Sequence, residues 1–540
     1  MVPTPSSPSL RPQETIGITL AELAERTGLA LPNGGESAGV RLTGITLRAQ
    51  DVRPGDLFAA LAGSRAHGAQ YAGQALQAGA AAILTDPAGA EIIRRTGQVP
   101  VPILTTDRPR SVLGTVAARI YGDPSKRLQV VGVTGTSGKT TTCYLLEAAL
   151  AADGSKTGLI GTVQTRIDGE VAPSALTTPE APDLQALFAV MVERGVDVVA
   201  MEVSSHALSL GRVSGTSFAV GAFTNLSQDH LDFHHDMEEY FDAKRLLFDG
   251  RAARHVIDVD TSYGTRLAAE HPTSVTVSGK GPASWSVDSV EVSNTGIQHA
   301  NLGGPDGQHI TVDVGLPGAF NVANAALALA CVDALGRDVQ QAADAIAGVA
   351  VPGRMERVDA GQDFLAVVDY AHKPAALAAV LDAIAQGLQG RLIVVVGAGG
   401  DRDTGKRPMM GAEVATRADL LIVTDDNPRS EVPAAIRAQV LAGAREARQA
   451  GRGQCEIVEI GDRRAAIQAA VAAAHTGDAV VIAGKGHELG QEISGVVHPF
   501  SDRDELLTAL TGLEVVPGEG REPTNLLPVT DARTAPRTRP

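Results

Sequence analysis

Residues 128–150 read LQVVGVTGTSGKTTTCYLLEAAL. A β-branched strand runs into Gly-Thr-Ser-Gly-Lys-Thr-Thr, and a helical pattern follows. That order commits this part of the chain to a strand-loop-helix unit, the building block of parallel α/β layers. The glycines let backbone N–H groups approach phosphate oxygens, and the helix N-terminus adds favourable partial charge. Lys139 is placed to reach the β- and γ-phosphates of a nucleotide, and the Thr140 hydroxyl to meet Mg2+. The general pattern has its first glycine six residues before the lysine, where this chain has Val133. A plain glycine turn ahead of a helix is the alternative reading. The loop alone does not select ATP over another nucleotide.

Strand-like and helix-like segments alternate along the whole chain, so the expected class is α/β with mostly parallel sheets. At 540 residues the chain is too long for one core, and roughly three or four domains are expected. GDLFAAL, an Ala-rich helical stretch and AAAILTD make a first unit over residues 15–125, and YGDPSKRL reads as a linker. A second unit spans 126–355. A third, over 356–515, has strand candidates in FLAVVDYAH, RLIVVVGAGG, ADLLIVTDD and DAVVIAGKG. The Pro/Ser-rich residues 1–14 and the segment 516–540 read as disordered tails. Aromatic residues are only 3% of the chain, so the cores must be built from Ala, Val, Leu and Ile.

The net charge of −16 argues against a nucleic-acid or membrane surface as the main partner. Anionic small substrates then require local basic groups and N–H donors. Cys143, Cys331 and Cys455 have no metal-site spacing and cannot all pair, which suits a reducing cytoplasm. No signal-peptide h-region and no run of 18 apolar residues is present, so a soluble intracellular protein is expected.

Several side chains invite chemistry. VDVVAMEVSSHAL is an apolar strand ending in Glu202. That acid is either a Mg2+ partner beside the phosphate loop or a solvated strand end. In FTNLSQDHLDFHHDMEEYFDAKRLLFDG, His230 and His234 are four apart, a superficial zinc spacing without a Glu-x-x-His pattern. Asp236 and Glu239 read as a capping box opening the next helix. Met237, Tyr240, Phe241, Leu247 and Phe248 form its apolar face, with Lys244 in the middle. Lys244 is either snorkelling or held neutral by desolvation, in which state it can react or be modified. GAGGDRD has Arg402 where a dinucleotide fingerprint needs its third glycine, which argues against NAD. TDDNPRSE, residues 424–431, follows an apolar strand. It is either an ordinary Asn-Pro turn or a device that fixes Arg429 at a strand's end, where open α/β sheets bind ligands.

Ten stretches together resemble the Mur ligase family, the ATP-dependent amino-acid ligases that build the peptide of peptidoglycan. They are TGTSGKTT, SALTTPE, MEVSSHAL, DHLDFH, LPGAFNVANAALA, VPGRMERV, DYAHKPAAL, GAGGDRDTGKRP, DDNPR and AGKGHE. They occur in family order over about residues 40–505. The resemblance implies a UDP-sugar-substrate domain, a central phosphate-loop ATPase domain and a C-terminal Rossmann-like domain for the incoming amino acid. It assigns Gly135, Thr136, Ser137, Gly138, Lys139, Thr140 and Thr141 to the ATP phosphates. Asn321, Asn324, Arg354 and Asp369 go to the rest of the nucleotide. Mg2+ falls to Thr140, Glu202, His230 and a carbamylated Lys244. Thr177, Thr178, Ser204 and Arg212 match contacts to the UDP-sugar peptide, with Leu47 and Ser64 as uridine-side candidates. Arg402, Asp426, Asn427, Pro428, Arg429, Gly484 and Glu488 are assigned to the amino acid.

The motif set is most similar to members that add meso-diaminopimelate to UDP-N-acetylmuramoyl-L-alanyl-D-glutamate. The implied partners are that UDP-dipeptide, meso-diaminopimelate and ATP, handled by a cytoplasmic monomer. L-Lysine or L-ornithine as acceptor, a folate polyglutamate synthetase-like ligase, and a non-catalytic nucleotide-binding regulator remain the alternatives. GITLRAQDVRPGDLF and HVIDVDTSYG depart from the family pattern, and the second is assigned no role.

Overall fold

A computed structural model describes residues 10–512, apart from 32–36, 64–65, 96, 98, 173–175, 232 and 294–296. Ser64 and residues 513–540 therefore lie outside the described residues.

The first unit is a four-stranded parallel sheet of Gly44–Thr46, Asp56–Ala59, Ala82–Thr85 and Ile103–Thr105. Three of its four short strands are buried throughout and so covered on both faces, as parallel sheets require; the edge strand Ile103–Thr105 is partly exposed. Ahead of it, Thr19 and Glu22 close a reciprocal capping box on the helix Leu20–Thr27. Residues 11–13 fall within the tail expected over 1–14, yet they make defined contacts. Arg11 is buried against Asp56 at 2.9 Å, and the Gln13 N–H donates to Glu193 at 3.0 Å. These contacts tie residues 11–13 to both the first sheet and the helix Ala181–Glu193.

The central sheet has eleven strands. Its middle is parallel, running from Thr157–Ile160 through Val198–Glu202, Gln129–Thr134, Phe218–Phe223, Ala252–Asp258 and Val275–Ser278 to Trp285–Val292. Antiparallel strands extend both ends, which the strand-helix alternation did not announce. The extension by Gln298–Gly303 and His309–Val314 alternates buried and exposed residues, as a ribbon with one wet face does. Its dry face and the parallel middle share one core with the helices Lys139–Ala151 and Ala319–Ala334. Ala319–Ala334 is buried along most of its length, and its many alanines allow close approach to the sheet.

The C-terminal sheet runs Glu356–Arg357, Leu365–Asp369, Ala479–Ala483, Leu392–Val396, Leu420–Val423, Glu456–Glu459, parallel from its second strand onward. The carboxyl ends of four of these strands lead into Asp369, Gly397, Thr424 and Gly484, on the rim where such sheets take ligands. An antiparallel hairpin, Gly490–Ile493 with Val496–Pro499, follows. Below the rim, Arg463 and Asp502 form a fully buried bidentate pair, both bonds 2.7 Å, and Arg463 also donates to the Ala483 carbonyl at 3.0 Å. That pair fixes the end of the strand that feeds residues 484–488.

Removing one member of such a pair leaves a buried charge without compensation. Asp502→Ala is expected to destabilise the C-terminal unit by about 3–5 kcal/mol. Urea unfolding followed by circular dichroism should then show a separate, earlier transition absent from the unsubstituted protein.

Candidate active site

The strand Gln129–Thr134 lies between Val198–Glu202 and Phe218–Phe223, and Val133 pairs with both Glu202 and Ala222. Val133, the departure from the general phosphate-loop pattern, is therefore still inside the strand; the turn begins at Gly135. Gly135 (φ 149°) and Gly138 (φ 87°) occupy backbone conformations that L side chains rarely adopt. A Cβ at Gly135 would sit 1.9 Å from Thr224 Oγ1, and one at Gly138 would sit 2.5 Å from Asn324 Oδ1.

The loop is held from the neighbouring strand's exit. Thr224 Oγ1 donates to the Ser137 carbonyl at 2.6 Å, Asn225 Oδ1 accepts from the Ser137 N–H at 3.0 Å, and the Thr136 N–H donates to the Asn225 carbonyl at 2.9 Å. Sequence reasoning missed Thr224 and Asn225; the available signal was FTN at a strand end. Lys139 folds back onto its own loop, donating to the carbonyls of Gly135 (2.8 Å) and Thr136 (3.0 Å). Burial lowers its pKa, opposed by Glu202. Thr141 is buried at the start of the helix.

Glu202 is buried, and its carboxylate is fully engaged. Oε1 accepts from Thr140 Oγ1 at 3.0 Å and from the Thr162 N–H at 2.7 Å; Oε2 accepts from Thr162 Oγ1 at 3.0 Å. Of the two readings of this acid, the solvated strand end is excluded. Thr162 is a site residue that no motif announced. The oxygen set of Thr140 and Glu202 beside a phosphate loop fits a hard divalent cation such as Mg2+.

Lys244 is also buried, in the apolar face expected from Tyr240, Phe241, Leu247 and Phe248. Snorkelling is excluded. Its ammonium donates to the Gly135 carbonyl at 2.7 Å and lies 4.5 Å from the Tyr240 ring centroid. Burial first, and then Lys139, push its pKa well below the ordinary lysine value. The capping box is half made: Asp236 accepts from the Glu239 N–H at 2.8 Å, but the Glu239 carboxylate takes the His235 N–H, one residue before the cap. His230 has a left-handed backbone (φ 53°) and pairs with Asp229 at 3.2 Å. Burial is the main cause that pushes it down to about 4, so it is a neutral ring near neutrality.

On the far side of the loop, Asn324 Nδ2 donates to Asn321 Oδ1 at 3.2 Å, and Asn321 Nδ2 donates to the Pro317 carbonyl at 2.7 Å. The Asp369 carboxylate accepts from the N–H groups of Met355 and Ala371, both at 2.7 Å, and Arg354 lies over the Tyr370 ring at 4.5 Å. These two residues thus join the last segment of the central unit to the third sheet.

An open cleft of about 350 Å3, lined by Gly161, Thr162, Gln164 and Thr177 among others, begins beside Glu202. Thr177 Oγ1 is 3.1 Å from Thr162 Oγ1. Arg212 pairs with Glu180 at 2.9 Å and donates to the Thr178 carbonyl at 3.3 Å. Two residues in the expected substrate set are spent internally. Thr178 is fully buried, its hydroxyl donating to the Glu202 carbonyl (2.8 Å) and accepting from the Ser204 N–H (3.2 Å). Ser204 caps the helix Ser205–Ser209 through the Ala207 N–H. Both shape the turn after Glu202. Leu47 is half-buried against the first unit's core.

In TDDNPRSE both sequence readings hold together. Arg429 is left-handed (φ 54°), and its N–H donates to the Glu492 carbonyl while the Ser494 N–H donates to its own carbonyl. The guanidinium donates to the Gly400 carbonyl and lies 3.4 Å from the Glu492 carboxylate. Pro428 approaches Gly400 so closely that a Cβ there would meet its carbonyl oxygen at 2.0 Å. Asn427 Nδ2 donates to Glu488 at 2.8 Å, and the fully buried Lys485 donates to Asn427 Oδ1 (3.0 Å) and Glu488 (3.1 Å). Asp426 lies against Gly484, with a carboxylate oxygen 2.7 Å from where a Cβ would stand. Gln491 and Glu492 of the hairpin bond to this loop as well, at 2.8 and 3.0 Å. Arg402 is exposed nearby on the 397–405 loop.

Three family models match in order: the Mur ligase family catalytic domain over 41–121, the Mur ligase middle domain over 133–332, and the Mur ligase glutamate ligase domain over 353–486. A relative from Corynebacterium glutamicum is 56% identical over 84% of this chain and 89% of its own.

The chain belongs to the Mur ligase family.

That relative is a UDP-N-acetylmuramoyl-L-alanyl-D-glutamate–2,6-diaminopimelate ligase. One of the same name from Streptomyces coelicolor is 52% identical over 93% of this chain and 98% of its own. A solved structure of a ligase with that name superposes with a TM-score of 0.65 at 30% identity, covering 92% of this chain and 99% of that one. This Mur ligase therefore shares the whole architecture with those relatives, not one domain of it.

Glu202→Gln keeps the shape but removes the charge. In this Mur ligase the variant is expected to lose the Mg2+-dependent part of its ADP affinity, about tenfold or more. Calorimetric titration with ADP, with and without Mg2+, checks it; an unchanged difference would refute the role.

Proposed function

We propose that this Mur ligase adds meso-diaminopimelate to the D-glutamate γ-carboxylate of UDP-N-acetylmuramoyl-L-alanyl-D-glutamate at the cost of ATP, as a monomer in the cytoplasm. The observation that carries the acceptor choice is the rigid presentation of Arg429 beside the Asn427–Glu488–Lys485 cluster. Diaminopimelate differs from lysine by a second carboxylate at its far end. A guanidinium donates two parallel N–H···O bonds to such a carboxylate, which lysine and ornithine lack. Asp426, Asn427 and Glu488 offer oxygens to the adjacent ammonium, and Arg402 is available to the carboxylate nearer the reacting amine.

Phosphoryl transfer needs positioning and charge neutralisation more than a nucleophilic side chain. A γ-carboxylate oxygen forms a bond to the γ-phosphorus of ATP while the bond to the β–γ bridging oxygen breaks, giving an acyl phosphate and ADP. The acceptor's neutral amine then forms the C–N bond; the acyl C–O bond breaks, and phosphate and a proton leave. Residues 135–141 cradle the phosphates with backbone N–H groups, and Lys139 turns from its loop carbonyls to the phosphate oxygens. Asn321, Asn324, Arg354 and Asp369 position the rest of the nucleotide. The cleft beside Thr177, bordered by Ser204, Arg212 and, in the first unit, Leu47, receives the UDP-dipeptide.

Mg2+ would be held by Thr140, Glu202, His230 and Lys244, and would neutralise phosphate charge when bound. Lys244 as an amine is a poor ligand for it. Its depressed pKa leaves a reactive neutral amine, and addition of CO2 with loss of a proton would give a carbamate with two oxygen donors.

Purified protein with ATP, Mg2+ and the UDP-dipeptide should release ADP with meso-diaminopimelate and far less with L-lysine or L-ornithine. Preference for lysine would overturn the acceptor assignment, and no acceptor-dependent ADP would overturn the ligase. Lys244→Ala is expected to abolish most turnover, on the order of a hundredfold, while UDP-dipeptide binding measured by calorimetry stays near normal.

A further inference from the structure

Lys373 stands immediately ahead of the helix Pro374–Ala385, on the loop leaving the strand Leu365–Asp369 of the third unit. Its ammonium donates to Asp229. Asp229 belongs to the central unit, where its other oxygen accepts from the His230 N–H at 2.8 Å. The ion pair thus crosses from the third sheet to the segment between Phe218–Phe223 and the helix Met237–Arg245. That helix carries Lys244, which bonds to the phosphate loop.

The segment that carries Asp229 touches the loop: the Ser227 N–H donates to Thr136 Oγ1 at 3.1 Å, and Thr136 Oγ1 lies 3.2 Å from the Ser227 carbonyl. Lys373 contributes, behind burial and nearer neighbours, to lowering both Lys139 and Lys244. It differs from those two in its freedom. Lys244 is buried and Lys139 half-buried, and each is bonded to loop carbonyls, whereas the Lys373 side chain is 32% exposed and, among the described residues, forms its ion pair with Asp229. An ammonium that keeps contact with solvent can leave one carboxylate for an acceptor of higher charge. The terminal phosphate of ATP is such an acceptor.

We propose that Lys373 is a second phosphate cation delivered across the domain boundary, paired with Asp229 and passed to the terminal phosphate of ATP when it binds. It then stays with that phosphoryl group as the acyl phosphate forms. Contact with the γ-phosphate would couple nucleotide occupancy to the approach of the third unit, which brings the acceptor amine. The inference rests on the ligase reading above, and its test separates the two.

Lys373→Met and Lys373→Arg are compared with the unsubstituted protein for binding of ADP and of a non-hydrolysable ATP analogue, both with Mg2+, and for turnover. Lys373→Met is expected to bind the ATP analogue about tenfold more weakly and ADP as before, with kcat lower on the order of a hundredfold. Lys373→Arg should recover most of both. Equal losses for the two nucleotides, or none for either, would make the pair a structural tie and overturn the proposal. Failure of the ligase reading shows separately, as absence of acceptor-dependent ADP release by the unsubstituted protein.

Discussion

The register of three parallel strands underlies the chemistry of this protein. Val133 opposes Glu202 on one side and Ala222 on the other, so the phosphate loop, the buried acid and the Thr224-Asn225 clamp leave the sheet at one level. A slip of one residue by the strand Val198–Glu202 would turn Glu202 to the opposite face and break its bonds to Thr140 and Thr162. The β-branched and alanine-rich cores on both faces of the sheet hold that register, because each strand here is buried on both sides.

Around this level the protein concentrates positive charge against its overall balance. The chain carries −16, yet the amines of Lys139 and Lys244 bond to the phosphate loop, and Lys373, from another sheet, pairs with Asp229 beside it. Lys244 is buried and Lys139 half-buried, and burial is the main cause of their lowered pKa values. The third cation belongs to another sheet, so the same electrostatics that bind the nucleotide favour the approach of the unit that presents Arg429.

Residues whose role follows from local pattern were legible in the chain. The glycines of the loop, Glu202 at a strand's carboxyl end, and Lys244 within an apolar helical face all stood out by spacing or by a break in it. Thr162 and the Gln491–Glu492 pair did not, since threonines, glutamines and glutamates are common in loops, while Asn225 and Lys485 stood in FTN and AGKGHE without a pattern that told their partners. Thr178 and Ser204 lie in a conspicuous motif, and the structure adds that both hydroxyls bond to the backbone around the turn after Glu202. The antiparallel ribbon at 285–314 escaped because the helix-strand alternation on either side suggested that parallel pairing would continue.

What the sequence by itself determined was the class of unit, the phosphate loop, and the family to which the ten ordered stretches pointed. Those are local properties, set by backbone propensity, glycine conformation and the periodicity of apolar residues. Only the tertiary structure decided which distant groups meet. Thr140 and Glu202 are 62 residues apart, Gly135 and Lys244 109, and Asp229 and Lys373 144. Such pairs depend on strand order and on the packing of one unit against another, and a one-dimensional pattern does not encode either. Exposure completed the choice: burial of Glu202 and Lys244 removed the solvated alternatives that their sequence context had left open.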